Sequence, residues 1–348
     1  MLVALVFTHT AVAMADPAPS AGSEVPAKVP ARLAQWELSV AGVPSGPASI
    51  RPIRIFSNGR YECDQVVQDS AGLRVKVHQG TVNERDRSIL FTAARETFNR
   101  MTFSKPIVGK GTADAPDCEV RLSSGSRAMR AVLDEEAPAQ MGFDAPLAQG
   151  LLAVNRISRI HRPARSDFGE PVRSSAKLQS QVPHGRDATV PAEAADWSSV
   201  YTRVILPDRD VKLTVYNPND NPDDRYRRGY ERSRNEMEIE IGKGGDKVPP
   251  VRRSVAVSKV DRDAFFEDVR VIVNQFELHD PRHDEAKGDV RCLVGIDGWL
   301  RRLEVEFKVN DALPGEWRTR VSRMVELGHR NDDAFPTLPD LRDVRDGN

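Results

Sequence analysis

The chain has 348 residues, of which 39% are hydrophobic and 29% charged, and its formal net charge is -1. That composition belongs to proteins with a buried core, and its charge balance gives no reason to expect nucleic acid as a partner. Past residue 20 no apolar run reaches the roughly 20 residues a spanning helix needs, and the length accommodates two domains with connecting segments.

Residues 1–15 carry a short apolar core, Leu2 to Phe7, followed by Ala11-Val12-Ala13 and Ala13-Met14-Ala15. This small-x-small pattern predicts a signal peptide and a periplasmic or secreted mature protein. No Lys or Arg precedes Lys28, which leaves a disordered Ala-rich cytoplasmic leader as the alternative. No cysteine follows the cleavage site, so no lipid anchor is expected. Residues 16–32, rich in Pro and Ala without periodicity, read as a disordered tether.

From Trp36 onward apolar residues alternate: Trp36, Leu38, Val40, then Ile53 and Ile55 up to Asn58-Gly59, a pair suited to a tight hairpin turn. Tyr61 and Cys63 return, and Leu73, Val75 and Val77 make a further strand. Residues 81–103 then read as an amphipathic helix, with Thr81-Val-Asn-Glu84 as its capping box. That helix has a second version at 258–278. Asp86, Arg87, Phe91, Arg95 and Asn99 match Asp261, Arg262, Phe266, Arg270 and Asn274, and Leu90, Ala94, Phe98 and Met101 match Phe265, Val269, Val273 and Phe276.

The neighbourhood recurs as well. Cys118, Val120 and Leu122 before Ser124-Gly125 answer Val290, Cys292, Val294 and Ile296 before Asp297-Gly298, with Cys292 two positions on from Cys118. Leu147, Leu151, Val154 and Ile157 answer Trp317, Val321, Met324 and Leu327, a closing helix stopped by Gly328. Val211, Leu213 and Val215 answer the Ile53 region, and Met237, Ile239 and Ile241 answer Leu73, Val75 and Val77. The chain therefore reads as two diverged copies, 33–157 and 197–330, joined by a linker at 158–196 and ending in a disordered tail, 331–348. The expected fold class is α+β: two similar domains, each an antiparallel sheet with two helices packed on one face. The other face of each sheet would carry Arg54, Arg60, Glu62, Arg74, Lys76, Glu119 and Arg121 in one copy, and Lys212, Thr214, Glu238, Glu240 and Arg291 in the other.

The hairpin with NGRYEC, the helix RDRSILFTAARETFNRM and the strand DCEVRL before a glycine turn resemble small exported bacterial domains of unknown function. The resemblance implies an envelope location and supplies no catalytic residues.

Candidate chemistry is sparse. His279 and His283 sit four apart with Asp and Glu nearby, a spacing that can share a zinc ion, but Pro281 between them favours a solvated loop. Tyr216 to Asp224 gathers oxygen donors without EF-hand spacing and suits a long turn equally well. Gly242 to Lys247 lacks the Lys-Ser/Thr of a phosphate loop, and Ser174 to Lys177 matches a serine–lysine pair inside the linker. Cys63 and Cys118 could form a disulfide in an oxidising compartment, or, like Cys292, serve as buried thiols. Arg95 with Arg270 and Asn99 with Asn274 recur either as structural caps or as a binding face shown twice. No catalytic residue and no cofactor is expected. The reading is an exported non-enzymatic binding or structural protein of the bacterial envelope, whose partner is another envelope or secreted protein. The alternatives are a secreted hydrolase with a cleft between the copies and an inhibitor of a secreted hydrolase.

Overall fold

The computed structural model of the chain describes residues 28–41, 53–69, 72–101, 103, 118–133, 190, 197–217, 236–243, 249–280, 290–298, 301–309 and 313–336. The strands are β1 (Glu37–Ala41), β2 (Ile53–Phe56), β3 (Arg60–Asp69), β4 (Gly72–Thr81), β5 (Cys118–Ser124), β6 (Arg127–Leu133), β7 (Trp197–Ile205), β8 (Arg209–Tyr216), β9 (Glu236–Lys243), β10 (Val251–Ala256), β11 (Arg291–Gly298) and β12 (Arg301–Lys308). The helices are α1 (Glu84–Arg100), α2 (Lys259–Gln275) and α3 (Gly315–His329).

All twelve strands join one sheet in the order β10-β9-β8-β7-β11-β12-β6-β5-β1-β2-β3-β4, and every neighbouring pair is antiparallel. The order mirrors itself about the β12–β6 contact. On one side β6, β5, β1, β2, β3 and β4 follow, and on the other β12, β11, β7, β8, β9 and β10.

This corrects the expectation of two α+β domains with a separate sheet and two helices each. The described residues hold one 12-stranded antiparallel sheet and only three helices. Alternation reveals that a strand has one buried face, but not what its second edge pairs with. Here β6 and β12, the return strands of the two hairpins, hydrogen-bond to each other from Arg301↔Leu133 to Glu306↔Ala128. The stripe at Leu147–Ile157 lies outside the described residues.

Period-2 patterning explains the two faces of the sheet. One transverse row runs through Cys63, Ile53, Val40, Val120, Ala131, Leu303, Ile296, Val200, Val215, Met237 and Val255, apolar from β3 to β10. Residues of this row between Ile53 and Met237 are at most 4% exposed and belong to the core that also holds Leu90, Phe98, Phe265, Val269 and Val273 of the helices. Each valine, leucine, isoleucine or methionine among them contributes about 1.5–3 kcal/mol by leaving water. The adjacent row, on the opposite face, runs Gln79, Glu62, Arg54, Ser39, Arg121, Arg130, Glu304, Gly295, Tyr201, Thr214, Glu238 and Ser254.

Both repeated helices form, and each packs an aromatic residue on a tryptophan that leads its half. Trp36 meets Phe91 with ring centroids 5.3 Å apart, and Trp197 meets Phe266 at 4.8 Å. Ser258 caps α2 as expected, accepting from the Asp261 amide. The cap of α1 is Asn83 rather than Thr81, which ends β4; the Asn83 side chain accepts from the Asp86 amide at 2.9 Å. Asn83 stands where Ser258 does, so the chemistry is shared and the expected box was set two residues early. Gly328 lies inside α3 rather than at its end. A Cβ there would fall 2.5 Å from the Phe335 ring, so this glycine allows close packing and does not stop the helix.

Other boundaries move too. The Met237–Ile241 strand is β9, which occupies the place of β3, while β10 takes the place of β4. The β7 strand had no alternation to announce it, because six of its nine residues in succession are buried. Phe335 is 1% exposed and Asp332 binds Arg253 of β10 at 2.7 Å, so the first residues of the expected tail pack on the sheet and on α3. The expected signal peptide lies outside the described residues.

Candidate functional site

The face opposite the helices carries a connected set of charges centred on the β12–β6 contact. Arg130 and Glu304 stand directly across from each other. The Arg130 guanidinium donates to Glu119 at 2.8 Å and to Glu304 at 3.3 Å, while the Tyr201 hydroxyl donates to the other Glu304 oxygen at 2.6 Å. Beside them Glu306 accepts from Arg121 at 2.7 Å and from Arg291 at 2.9 Å. Asp297 accepts from Arg302 and from the Ser199 hydroxyl. The Lys212 ammonium sits 4.6 Å from the centroid of the Tyr201 ring.

Glycine makes this geometry possible. Gly295 lies between Tyr201 and Glu304 in the transverse row, and a Cβ on it would fall 2.3 Å from the Tyr201 ring. The bare backbone lets the ring lie across β11 and deliver its hydroxyl to the next strand.

The electrostatics hold the reactive groups in their resting forms. Tyr201 is 3% exposed, and burial, reinforced by the Glu304 and Asp297 charges, raises its pKa well above the ordinary phenol value. It stays a hydrogen-bond donor. Hydrogen bonding to Glu119 and the nearby Glu304 charge outweigh burial and raise the pKa of Arg130. On the core face, burial pushes the Cys292 thiol up to about 12, so it remains protonated beside Thr202. A thiol in that state is no nucleophile.

A second feature lies at the hairpin ends, where a cleft of about 560 Å³ is lined by Gln35, Trp36, Glu37, Phe56, Asn58, Ser123 and Ser124 among others. The loop after α2 borders this region. The Ser124 hydroxyl lies 2.8 Å from the carbonyls of both Gln35 and His279, and Asp280 accepts from the Ala34 amide at 2.8 Å.

The expected site residues scatter. His279 contributes its carbonyl to that packing, and His283 lies outside the described residues. Among the described residues no three of His, Cys, Asp and Glu gather as a metal site. Cys63 is buried on β3, and the side chain of Cys118 lies outside the described residues, as do most of the Tyr216–Asp224 run, the Gly244–Lys247 end of the glycine loop and the Ser174–Lys177 pair. The structural register sets Cys118 level with Cys292, because Leu122 faces Leu38 as Ile296 faces Val200.

The recurring asparagines do the same thing twice. Asn99 accepts from the Val29 amide and donates to the Val29 carbonyl, each at 2.9 Å. Asn274 does so with Val190, each at 2.8 Å, and Arg270 adds a 3.4 Å contact to the same carbonyl. Val29 and Val190 are 0% and 1% exposed, although they lie in stretches expected to be tether and linker. The signal was in the sequence: Val29-Pro-Ala leads to Trp36 as Val190-Pro-Ala leads to Trp197, with the same spacing.

Sequence reasoning also missed Tyr201, Arg130, Asp297, Glu304 and Glu306. The two glutamates alternate with Leu303, Val305 and Phe307 and were legible as outward-facing; Tyr201 sits on a strand that had not been recognised, and Arg130 on the return strand after Ser124-Gly125, whose pattern is unclear in the sequence. Of the outward-facing residues expected, Arg54, Arg60, Glu62, Glu119, Arg121, Lys212, Thr214, Glu238, Glu240 and Arg291 do share the face with Tyr201 and Glu304.

Lys28, which precedes the clamped Val29, makes stability depend on pH. Its ammonium has no hydrogen-bond partner among the described atoms, and burial lowers its pKa to about 8. Below pH 8 folding buries a charge that the unfolded chain would solvate. Between pH 8 and 10.5 the unfolded chain keeps a proton the folded chain has lost, so stability rises with pH by up to about 3 kcal/mol. Cys292 acts oppositely above pH 9, where the unfolded chain loses a proton that the folded chain retains, and Tyr201 joins it above pH 10. Urea denaturation across pH 7 to 11 should therefore show a stability maximum near pH 9 to 10, and Lys28→Met should remove the rise between pH 8 and 9.

Comparison of the chain with models of known families, with curated proteins and with solved structures finds no match. Among the described residues no helix is long and apolar enough to cross a membrane.

Proposed function

We propose that the protein is an exported, non-enzymatic binding or structural protein of the bacterial envelope, built from two diverged copies of one exported module, which offers the charged face of its sheet to another envelope or secreted protein. The observation that carries this reading is the state of the groups on that face. Glu304, Glu306 and Asp297 are each committed to two or more partners, and Tyr201 is held as a neutral donor. The carboxylates are largely buried, while the arginines they hold, Arg121, Arg291 and Arg302, keep 37%, 47% and 43% of their side chains exposed, which favours electrostatic recognition over proton transfer. Export rests on the apolar core and small-x-small pattern of residues 1–15. The two-copy reading rests on the matched helices, the mirrored strand order and the paired asparagine straps.

Two measurements test it. N-terminal sequencing of the protein recovered from a bacterial periplasm should begin at Met14 or Asp16; an intact Met1 would remove the export. The immobilised mature protein should retain an envelope protein in a salt-sensitive manner, and Arg54→Glu with Arg252→Glu, on side chains 47% and 56% exposed, should weaken that retention. Retention indifferent to salt and to both changes would rule out this face.

A further inference from the structure

We infer that the β6–β12 contact is a former subunit interface, at which positions 130 and 304 have diverged into opposite charges so that each half of the chain fits the other half and not a second copy of itself. The inference rests on the two-copy part of the reading above and not on what the open face binds.

The register carries it. Arg130 pairs with Glu304, 174 residues on. The interval that relates Leu122 of β5 to Ile296 of β11 also relates Met129 to Leu303 and Ala131 to Val305, yet Met129 pairs with Val305 and Ala131 with Leu303. Equivalent residues thus exchange partners about the Arg130–Glu304 pair, as they do across the axis of a two-fold dimer, where residue i meets j and j meets i.

The flanking contacts obey the same exchange. Arg127, first in β6, reaches the segment after α2: it donates to the Glu277 carbonyl at 3.2 Å and lies 5.9 Å from the Phe276 ring centroid. Arg301, first in β12 and again 174 positions on, reaches the segment after α1 and lies 4.9 Å from the Phe103 ring centroid. Each half cradles the end of the other half's helix with the same residue type.

The axis is the position where identity would be most costly. Two arginines or two glutamates facing each other there would repel in partly buried surroundings. In this chain each charge also has a partner within its own half, Arg130 in Glu119 and Glu304 in Tyr201. The two residues on the axis are of opposite sign and complementary, the arrangement that selects one partner and rejects the other.

The test uses the full-length chain with a site-specific protease sequence inserted between Ser174 and Ser175, cleaved after folding. Native mass spectrometry of the cut protein should show one N-terminal fragment bound to one C-terminal fragment. Mixing with ¹⁵N-labelled cut protein should give exchange into N–C pairs only. Glu304→Arg, and Glu304→Gln should the arginine variant not fold, should weaken the pairing by about tenfold or more. Cut wild-type protein that falls into lone fragments, N–N and C–C pairs, or pairing unchanged in the Glu304 variant would each overturn the inference. Loss of envelope binding would not bear on it.

Discussion

Replacing Asn274 by Ala should destabilise the chain by about 3 kcal/mol, because one side chain satisfies both main-chain polar groups of Val190. Val190 is 1% exposed, so water has little access to the amide and carbonyl left behind, and each unpaired group costs roughly 1–3 kcal/mol. The Arg270 guanidinium, 3.4 Å from the same carbonyl, softens part of the loss. Asn274→Asp divides the effect: its carboxylate still accepts from the amide but offers nothing to the carbonyl. Urea denaturation at pH 7 should rank wild type above Asp and Asp above Ala. Asn99→Ala should repeat the result through Val29, since the geometry is the same. A loss below about 0.5 kcal/mol at both positions would mean that the straps do not belong to the folded core.

Removing the Glu304 carboxylate should cost a similar amount, about 2–4 kcal/mol for Glu304→Ala. The change strands the Tyr201 hydroxyl, whose ring is pinned over Gly295, and leaves Arg130 with Glu119, one row away, as its acid partner. The cause can be separated from simple truncation. In wild type, Tyr201→Phe loses a 2.6 Å hydrogen bond to a carboxylate and should cost about 1.5–3 kcal/mol. In the Glu304→Ala background the same substitution removes an unpaired buried hydroxyl and should be neutral or stabilising. Additive losses in a double-mutant cycle would show that Tyr201 and Glu304 do not act together.

What the sequence disclosed follows from what periodicity encodes. The 3.6-residue stripes of α1 and α2 and the alternation in β1, β2, β5, β11 and β12 report a single buried face, and those elements were legible. Tyr201 sits in a strand with six successive buried residues, where alternation vanishes, so neither β7 nor the tyrosine stood out. The joining of two sheets depends on main-chain edges that carry no side-chain code, and the Arg130–Glu304 pair became meaningful only once β6 and β12 were neighbours. Asn99 and Asn274 were visible as a repeat but not as clamps, because their partners lie 70 and 84 residues away in stretches whose composition suggests disorder. Proline lowers both helix and strand propensity, and alanine lowers strand propensity, without preventing a short segment from being held by one side chain.

Amide hydrogen exchange along the two central strands tests the continuous sheet most directly. The amides of Ala128–Val132 and Arg302–Glu306 that face across the contact should be protected as strongly as those between β7 and β11, while the outer edges of β4 and β10 exchange quickly. Exchange at β6 and β12 as fast as at those outer edges would show two separate sheets and contradict the account.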